Sequence, residues 1–344
     1  MDLSNLTIII PSYNRPQHAI QTLKFWSKFN VNLHLVDGSE KPVLDFQNIT
    51  INTKIKYHHI QILSEVDRIK KILPLIKTKY SILSSDDDVL LPFALYECLN
   101  ELENDKDIIS CYGQTLSFYK KDNEIKFNRT DKELSNFKND SDDKIKRLNK
   151  HMKNYVPSII YSVMSSNLFK NIFDTENFSQ FKFFASLELR ATLLVNYYGK
   201  SKVIDNLLVL RNKSENSAIH RNSENTSFFR CMYYPGQKDQ RYKFINQLVK
   251  TIKDENMVSD KNLFKIFNSS LFTYLLYTIK RFFIKKIPLI LKYNIPLLYR
   301  MNKEKKLSKL ISISELSYFC KNNNIHLNIK DQDLIHQFFN SEFK

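Results

Sequence analysis

Glycine is nearly missing: the 344 residues include only Gly38, Gly113, Gly199 and Gly236. Neither a GxGxxG dinucleotide fingerprint nor a GxxxxGK[ST] phosphate loop can be written with them, so a bound nucleotide would have to be held by side chains and metal. Cysteine is sparse too. Cys98, Cys111, Cys231 and Cys320 lie far apart with no CxxC pair, which argues against zinc and redox motifs and predicts reduced, mostly buried thiols in a cytoplasmic protein. The N-terminus shows no basic n-region followed by an apolar h-region and a small-residue cleavage site, so no secretory signal is expected. Long apolar runs are lacking in the basic C-terminal part, where the longest charge-free run, Ile266 to Ile279, is 14 residues. Crossing a bilayer takes roughly 20. A hydrophobic content of 42% still allows a sizeable core.

What is present is a strand and helix alternation punctuated by polar loops. Leu6 to Ile10 is a β-branched run that ends in Pro11-Ser12-Tyr13-Asn14-Arg15-Pro16. Its prolines bar continuation of the strand, and Gln17 to Phe29 then has helical spacing. A second strand, Val31 to Val36, stops at Asp37-Gly38-Ser39, completing a βαβ unit. A third strand near Ile55 to Ile60 leads to a helix from about Ser64 to Ile76 that Pro74 ends or kinks. Tyr80 to Ser84 is the next strand. In an open α/β sheet ligands collect beyond the carboxyl ends of the strands, where all three polar loops fall.

The third loop is the most telling. Asp86, Asp87 and Asp88 follow a buried-looking strand, and three adjacent carboxylates repel one another unless something cationic holds them. They offer hard oxygen ligands to Mg²⁺ or Mn²⁺, which in turn neutralises a diphosphate leaving group. The plain alternative is a solvated acidic turn.

TIIIPSYNRP, LVDGS and KYSILSSDDDVLLP, in that order and spacing, resemble the nucleotide-sugar-binding half of GT-A glycosyltransferases, specifically the family 2 group of bacterial surface-glycan enzymes. The resemblance covers about the first 115 residues well and extends to about residue 220. It implies an α/β, Rossmann-like, mostly parallel sheet flanked by helices, with a helical C-terminal extension. It divides the chain into a catalytic domain over 1–224, with a donor half at 1–115 and an acceptor half at 116–224, and a basic helical region at 225–344. By position, Pro11, Ser12 and Tyr13 match the loop against base and ribose, and Arg15 follows with a charge that reaches a phosphate. Asp37 matches the acceptor for base or ribose donors, although an Asp-Gly turn explains it as well. Asp86 and Asp88 match the pair facing nucleotide and ion, with Asp88 the direct metal ligand; Asp87 is expected on the other face of an extended segment. Asp67 and Arg68 fall where such enzymes touch the nucleotide, but read first as an exposed helix face with weak ion pairs.

An inverting transfer also needs a base for the acceptor hydroxyl. The resemblance places it near a helix start in Phe181 to Tyr198, where Glu188 is the one acid; Asp174 and Glu176 are reserves. Further on, Arg211 to Arg221 matches a segment that closes over the diphosphate, with His220 as a third metal ligand and Arg211 or Arg221 on phosphate. A polar surface loop is the alternative there.

Residues 120–150 are dense in Lys, Asp, Asn and Glu and predict a loop leading into a helix near Asp142 to Asn154. Residues 261–310 hold twelve Lys or Arg against one acid, Glu304, so most of the formal net charge of +16 is local. Cations interleaved with large apolar groups suggest a helix on an anionic membrane surface, suited to a lipid-linked acceptor; a bundle with a solvated basic face is the alternative. Three classes of function remain. A transferase using a nucleotide sugar, UDP-linked by preference, with a glycan or lipid-linked acceptor fits the motifs. A GT-A nucleotidyltransferase usually opens with a glycine-rich loop that is missing here. A nucleic-acid-binding protein is suggested by a pI near 9.4 but has no supporting motif, so no nucleic-acid partner is expected. The location implied is cytoplasmic, peripheral on the inner face of the membrane.

Overall fold

Strand β1 (Leu3–Ser12) is central to the sheet because it is apolar on both faces: Ile8 and Ile10 enter one core and Ile9 the other. Strands buried on both sides read as continuous apolar runs, which is why this element is plain in the sequence. The structure, a computed structural model, describes residues 1–42, 54–62, 64–121, 124–129, 134–135, 137–181, 186–213, 232–233, 238–252, 258–281, 283 and 310–341.

Helix α1 (Pro16–Trp26) starts on Pro16, where the missing N–H costs nothing, and buries Ala19, Leu23 and Trp26. Strand β2 (Val31–Asp37) pairs parallel to β1, and β3 (Ile55–His59) pairs parallel to β2. The Ser64 hydroxyl caps α2 (Glu65–Ile72), and Leu73–Leu75 tightens to a 3-10 turn at Pro74. Strand β4 (Tyr80–Leu83) pairs parallel to β1, Ile9 lying opposite Leu83. The half of the sheet ordered β4-β1-β2-β3 is thus parallel throughout, and its carboxyl ends line one edge.

Beyond the acidic turn come β5 (Val89–Leu90), α3 (Pro92–Asn104), β6 (Ile108–Lys121) and β7 (Glu124–Arg129). Strand β7 corrects the reading of 120–150 as a loop: it is polar in composition, yet Ile125 and Phe127 alternate inward and pair it antiparallel to β6. Strand β8 (Lys138–Asn139) and helix α4 (Lys144–Lys153) follow, the helix capped by the Asp143 carboxylate on the N–H groups of Ile145 and Lys146. Next are β9 (Val163–Ser165), α5 (Ser166–Phe173), α6 (Ser186–Tyr198) and β10 (Lys200–Asn212), which pairs parallel to β6 and antiparallel to β5. Buried polar groups fix α6. The Arg147 guanidinium donates to the carbonyls of Asn196 and Tyr197, and the fully buried Arg190 donates to those of Asn171 and Ile172 at the end of α5. Helices α7 (Lys238–Thr251) and α8 (Asp260–Arg281) pack on the second core through Phe244, Leu248, Phe267 and Leu271. Cys98, Cys111 and Cys320 are free and buried, as read from their spacing; Cys231 lies outside the described residues.

The C-terminal residues return to the first core. Strand β11 (Ile311–Ser312) adds to β7, and α9 (Leu316–Asn322) and α10 (Ile329–Ser341) bury Leu316, Cys320, Ile335 and Phe339. Asp331, 1% exposed, accepts from the N–H groups of Phe93 (3.1 Å) and Ala94 (3.3 Å) and so caps α3, whose own Leu91 cannot. Burial pushes its carboxyl up to about 6 against the two backbone donors. The folded chain therefore keeps a proton between about 3.8 and about 6 that the unfolded chain releases, and stability falls as pH rises through that window. Asp331→Asn keeps an acceptor without the charge. Urea unfolding should show the Asn variant losing this slope and matching or exceeding the wild type above pH about 6, with Asp331→Ala about 1 kcal/mol weaker than Asn for want of a cap.

Candidate active site

Strands β1, β2 and β4 end level with one another, so the loops that follow them meet. Ser12 lies opposite Asp37 in the β1–β2 register, and Ser84 N–H bonds the Ile9 carbonyl at 2.9 Å, bringing the acidic turn to the same edge. The Ser12 hydroxyl donates to Asp86 Oδ2 at 2.7 Å, and Arg15 Nη1 to Asp86 Oδ1 at 2.6 Å. The same Arg15 nitrogen is 2.9 Å from Asp87 Oδ2, while Ser85 Oγ donates to Asp87 Oδ1 at 2.5 Å. Thr22 Oγ1, from α1, holds the Asp86 carbonyl at 3.0 Å.

Two expectations are corrected here. Residues 86–88 form a turn between β4 and β5, so side chains do not alternate with period two, and Asp87 joins Asp86 on one guanidinium instead of pointing away. Arg15, expected to reach outward to a phosphate, is buried and turned inward as the counter-ion of that pair. The cation that three adjacent acids demanded is in part supplied by the chain. Burial still raises the Asp86 carboxyl, with Arg15 and Ser12 opposing.

Asp88 turns toward β10. Its Oδ1 accepts from the Asn212 N–H at 2.9 Å, and Oδ2 lies 3.9 Å from Arg211 Nε. Burial pushes its carboxyl up to about 6, and the neighbouring Asp87 adds to this while Arg211 opposes it. Asp86 and Asp87 share the Arg15 guanidinium at 2.6 and 2.9 Å, whereas the cation beside Asp88 is 3.9 Å away, so Asp88 is the acid of the three with the weakest cationic partner inside the chain. Among the described residues no group of three His, Cys, Asp or Glu is arranged to hold an ion. His220 lies outside the described residues.

At the end of β2, Asp37 is buried in a network that the sequence did not reveal. Ser39 donates to Oδ1 through its N–H (2.9 Å) and hydroxyl (2.5 Å), and Tyr57 donates to Oδ2 at 2.7 Å. Asn14, with a left-handed φ of 55°, gives its N–H to Ser39 Oγ at 2.7 Å, tying the first loop to the second. Tyr57 and His59 were detectable in principle: they stand two apart on β3, and His59 pairs in register with Asp37. Tyr13 remains 40% exposed above this floor. Arg68, read first as an exposed helix face, is 3% exposed; it donates to the Ile62 carbonyl at 2.6 Å, abuts Gly38 and lies 6.0 Å from the Tyr13 ring. Glu65, in the first turn of the same helix, is exposed.

Gly38 therefore serves close approach. A Cβ there would sit 2.4 Å from Arg68 Nη1, and that guanidinium is anchored, so Gly38→Ala should cost about 1–3 kcal/mol and disturb the Tyr13 loop. Urea unfolding checks the cost; a loss under a few tenths would mean Arg68 swings freely.

Glu188 lies half-buried in the first turn of α6. Burial raises the phenols of Tyr155, Tyr274 and Tyr161, and the Glu188 charge adds to each; at Tyr161 Glu65 and Asp88 add further while Arg211 opposes. The Arg211 guanidinium lies 5.3 Å from the centre of the Tyr161 ring. The Tyr161 phenol is thus within electrostatic reach of Asp88, Arg211 and Glu188 alike. Of the reserves, Asp174 pairs with Lys70 at 3.2 Å on the surface, and Glu176 is exposed.

The strand order and the edge on which these loops meet define the class: this is the GT-A fold of glycosyltransferases. Among solved structures the chain is similar to S. aureus TarS residues 1–349, with a TM-score of 0.50 and 10% identity over 83% of this chain and 75% of that one. The same protein in complex with UDP-GlcNAc gives 0.49 and 12% over 83% and 76%, and in complex with UDP 0.47 and 11% over 100% and 91%. No protein-family model and no curated protein matches the sequence. At such identity the likeness is one of fold.

Proposed function

We propose that this chain is a glycosyltransferase that moves a sugar from a nucleotide-sugar donor to a glycan or lipid-linked acceptor in bacterial surface polysaccharide synthesis. The observation that carries the reading is the meeting, on one edge of a GT-A sheet, of a buried network at Asp37, an Arg15-neutralised acidic turn, and Asp88 facing Arg211.

In this reading the base, a uracil by preference, lies against the exposed Tyr13 ring, on the loop that the Asp37 network holds in place through Ser39 and Asn14. Asp88 would hold a divalent cation, Mn²⁺ or Mg²⁺, which would neutralise the charge that develops on the departing diphosphate. Arg211 stands beside that position as a further cation. Glu188 takes the proton of the acceptor hydroxyl as its oxygen bonds the anomeric carbon and the bond to the diphosphate breaks, with inversion. Location on the cytoplasmic side, with residues 261–310 on an anionic membrane surface, suits a lipid-linked acceptor.

Thermal-shift titration with UDP, GDP, CDP and CMP, each with and without Mn²⁺, tests this. A ligand at 100 times its dissociation constant adds about 2.7 kcal/mol, and the expected result is Mn²⁺-dependent stabilisation by UDP. No response to any nucleotide would remove the donor site. Glu188→Gln should keep that response while transfer falls about 10²–10⁴-fold, as expected for loss of a general base; unchanged turnover would return the role to another residue.

A further inference from the structure

Helix α8 has two unlike faces. Leu263, Phe267, Leu271, Tyr274 and Leu275 are buried against the second core. The opposite face begins polar, with Lys261, Lys265 and Ser269 exposed, and then changes character. Phe272 is 52% exposed, Leu276 53%, Ile279 39% and, just past the helix, Phe283 61%. Spacings of four, three and four residues put these on one stripe about 16 Å long. Large apolar side chains in a continuous exposed stripe mark a surface that is covered in use.

Charge selects the occupant. Lys280 and Arg281 stand exposed beside the stripe, no acid occurs from Lys261 to Arg281, and the sequence beyond continues with Lys285, Lys286, Lys292 and Arg300. Two copies meeting across this face would set like charges against each other, whereas anionic lipid headgroups satisfy them while the stripe enters the acyl boundary. We propose that Phe272, Leu276, Ile279 and Phe283 are the membrane-inserting face of the protein, with Lys280 and Arg281 on anionic headgroups. Among the described residues no helix is long and apolar enough to cross a membrane, so contact is with the surface. The inference deepens the proposed membrane contact and rests on it, but not on the sugar chemistry.

The test is co-sedimentation of the full chain with phosphatidylcholine vesicles alone or with about 30 mol% phosphatidylglycerol. The wild type should bind the anionic vesicles in a salt-sensitive manner and bind pure phosphatidylcholine weakly. Phe272→Ser with Leu276→Ser should reduce binding at least about tenfold, with the unfolding midpoint and the UDP response unchanged. Failure of the UDP response alone would overturn the donor site and leave this face standing. No binding of the wild type to anionic vesicles, or equal binding by the double variant, would overturn the membrane face. A dimer dissolved by the substitutions would assign the stripe to a second copy, and a drop in the variant's midpoint to another part of this chain; either result would also overturn it.

Discussion

Arg15→Ala is expected to cost about 3–5 kcal/mol, a large share of an ordinary domain's stability. Its guanidinium is the shared partner of Asp86 and Asp87, and the three side chains are only 7%, 3% and 7% exposed. Removing it leaves two adjacent carboxylates facing each other out of water, and the one relief open to them is to take up a proton. The Asp86 carboxyl, already raised by burial and held down chiefly by Arg15, would rise further. Protons held by the folded state and released by the unfolded one make stability fall with rising pH, so the deficit of the variant should be larger at pH about 7.5 than at pH about 5. Arg15→Lys should recover only part, since a point charge does not replace a fork that meets two acids. Urea unfolding at both pH values measures this; a loss below about 1 kcal/mol, equal at both, would show that the acids are neutralised by something else.

Asp88→Asn is expected to separate stability from function. The amide still accepts from the Asn212 N–H, and it is spared the burial that pushes the carboxyl up to about 6, so the unliganded variant should equal or exceed the wild type above that pH. The Mn²⁺-dependent response to UDP should disappear, with transfer reduced about 10²–10³-fold, the scale for removing one group that stabilises developing charge. In the wild type the same response should weaken as pH falls through about 6, because only the ionised carboxylate holds a cation. Calorimetric titration of UDP with Mn²⁺ across this range checks both. A response that survives the substitution would move the ion away from the acidic turn.

The parallel half of the fold was legible because its rules are local. Doubly buried strands are apolar runs, Pro16 opens α1, Gly38 follows β2 and Pro74 follows the end of α2; Pro11 misled, because β1 continues through it to Ser12 in register with β2. What escaped depended on distant partners. Strand β7 looks like solvent loop until Phe127 finds Phe118 and Phe339. Arg68 reads as a surface cation because helical spacing does not show that Gly38 and Ile62 close over it. Strand periodicity predicts Asp87 on the face away from Asp86, and a turn does not obey it. Apolar residues at Phe272, Leu276 and Ile279 fit a buried helix equally well, and only the packing of α8 shows which face was left outside.

The cap on α3 carries a consequence for how the protein is made. Helix α3 begins at Pro92, four residues past Asp88, and its first N–H groups are held by a carboxylate that lies 238 residues from Phe93 in sequence. A ribosome delivers residues at about 5–20 per second, so tens of seconds or less separate the emergence of the acidic turn from that of its brace. Throughout that interval the nascent polypeptide has the donor half of its sheet but an open helix end beside the three acids. Capping of α3 is thus a late event in translation, and a chain arrested before residue 331 would carry the whole acidic motif ahead of a helix whose first turn is still uncapped.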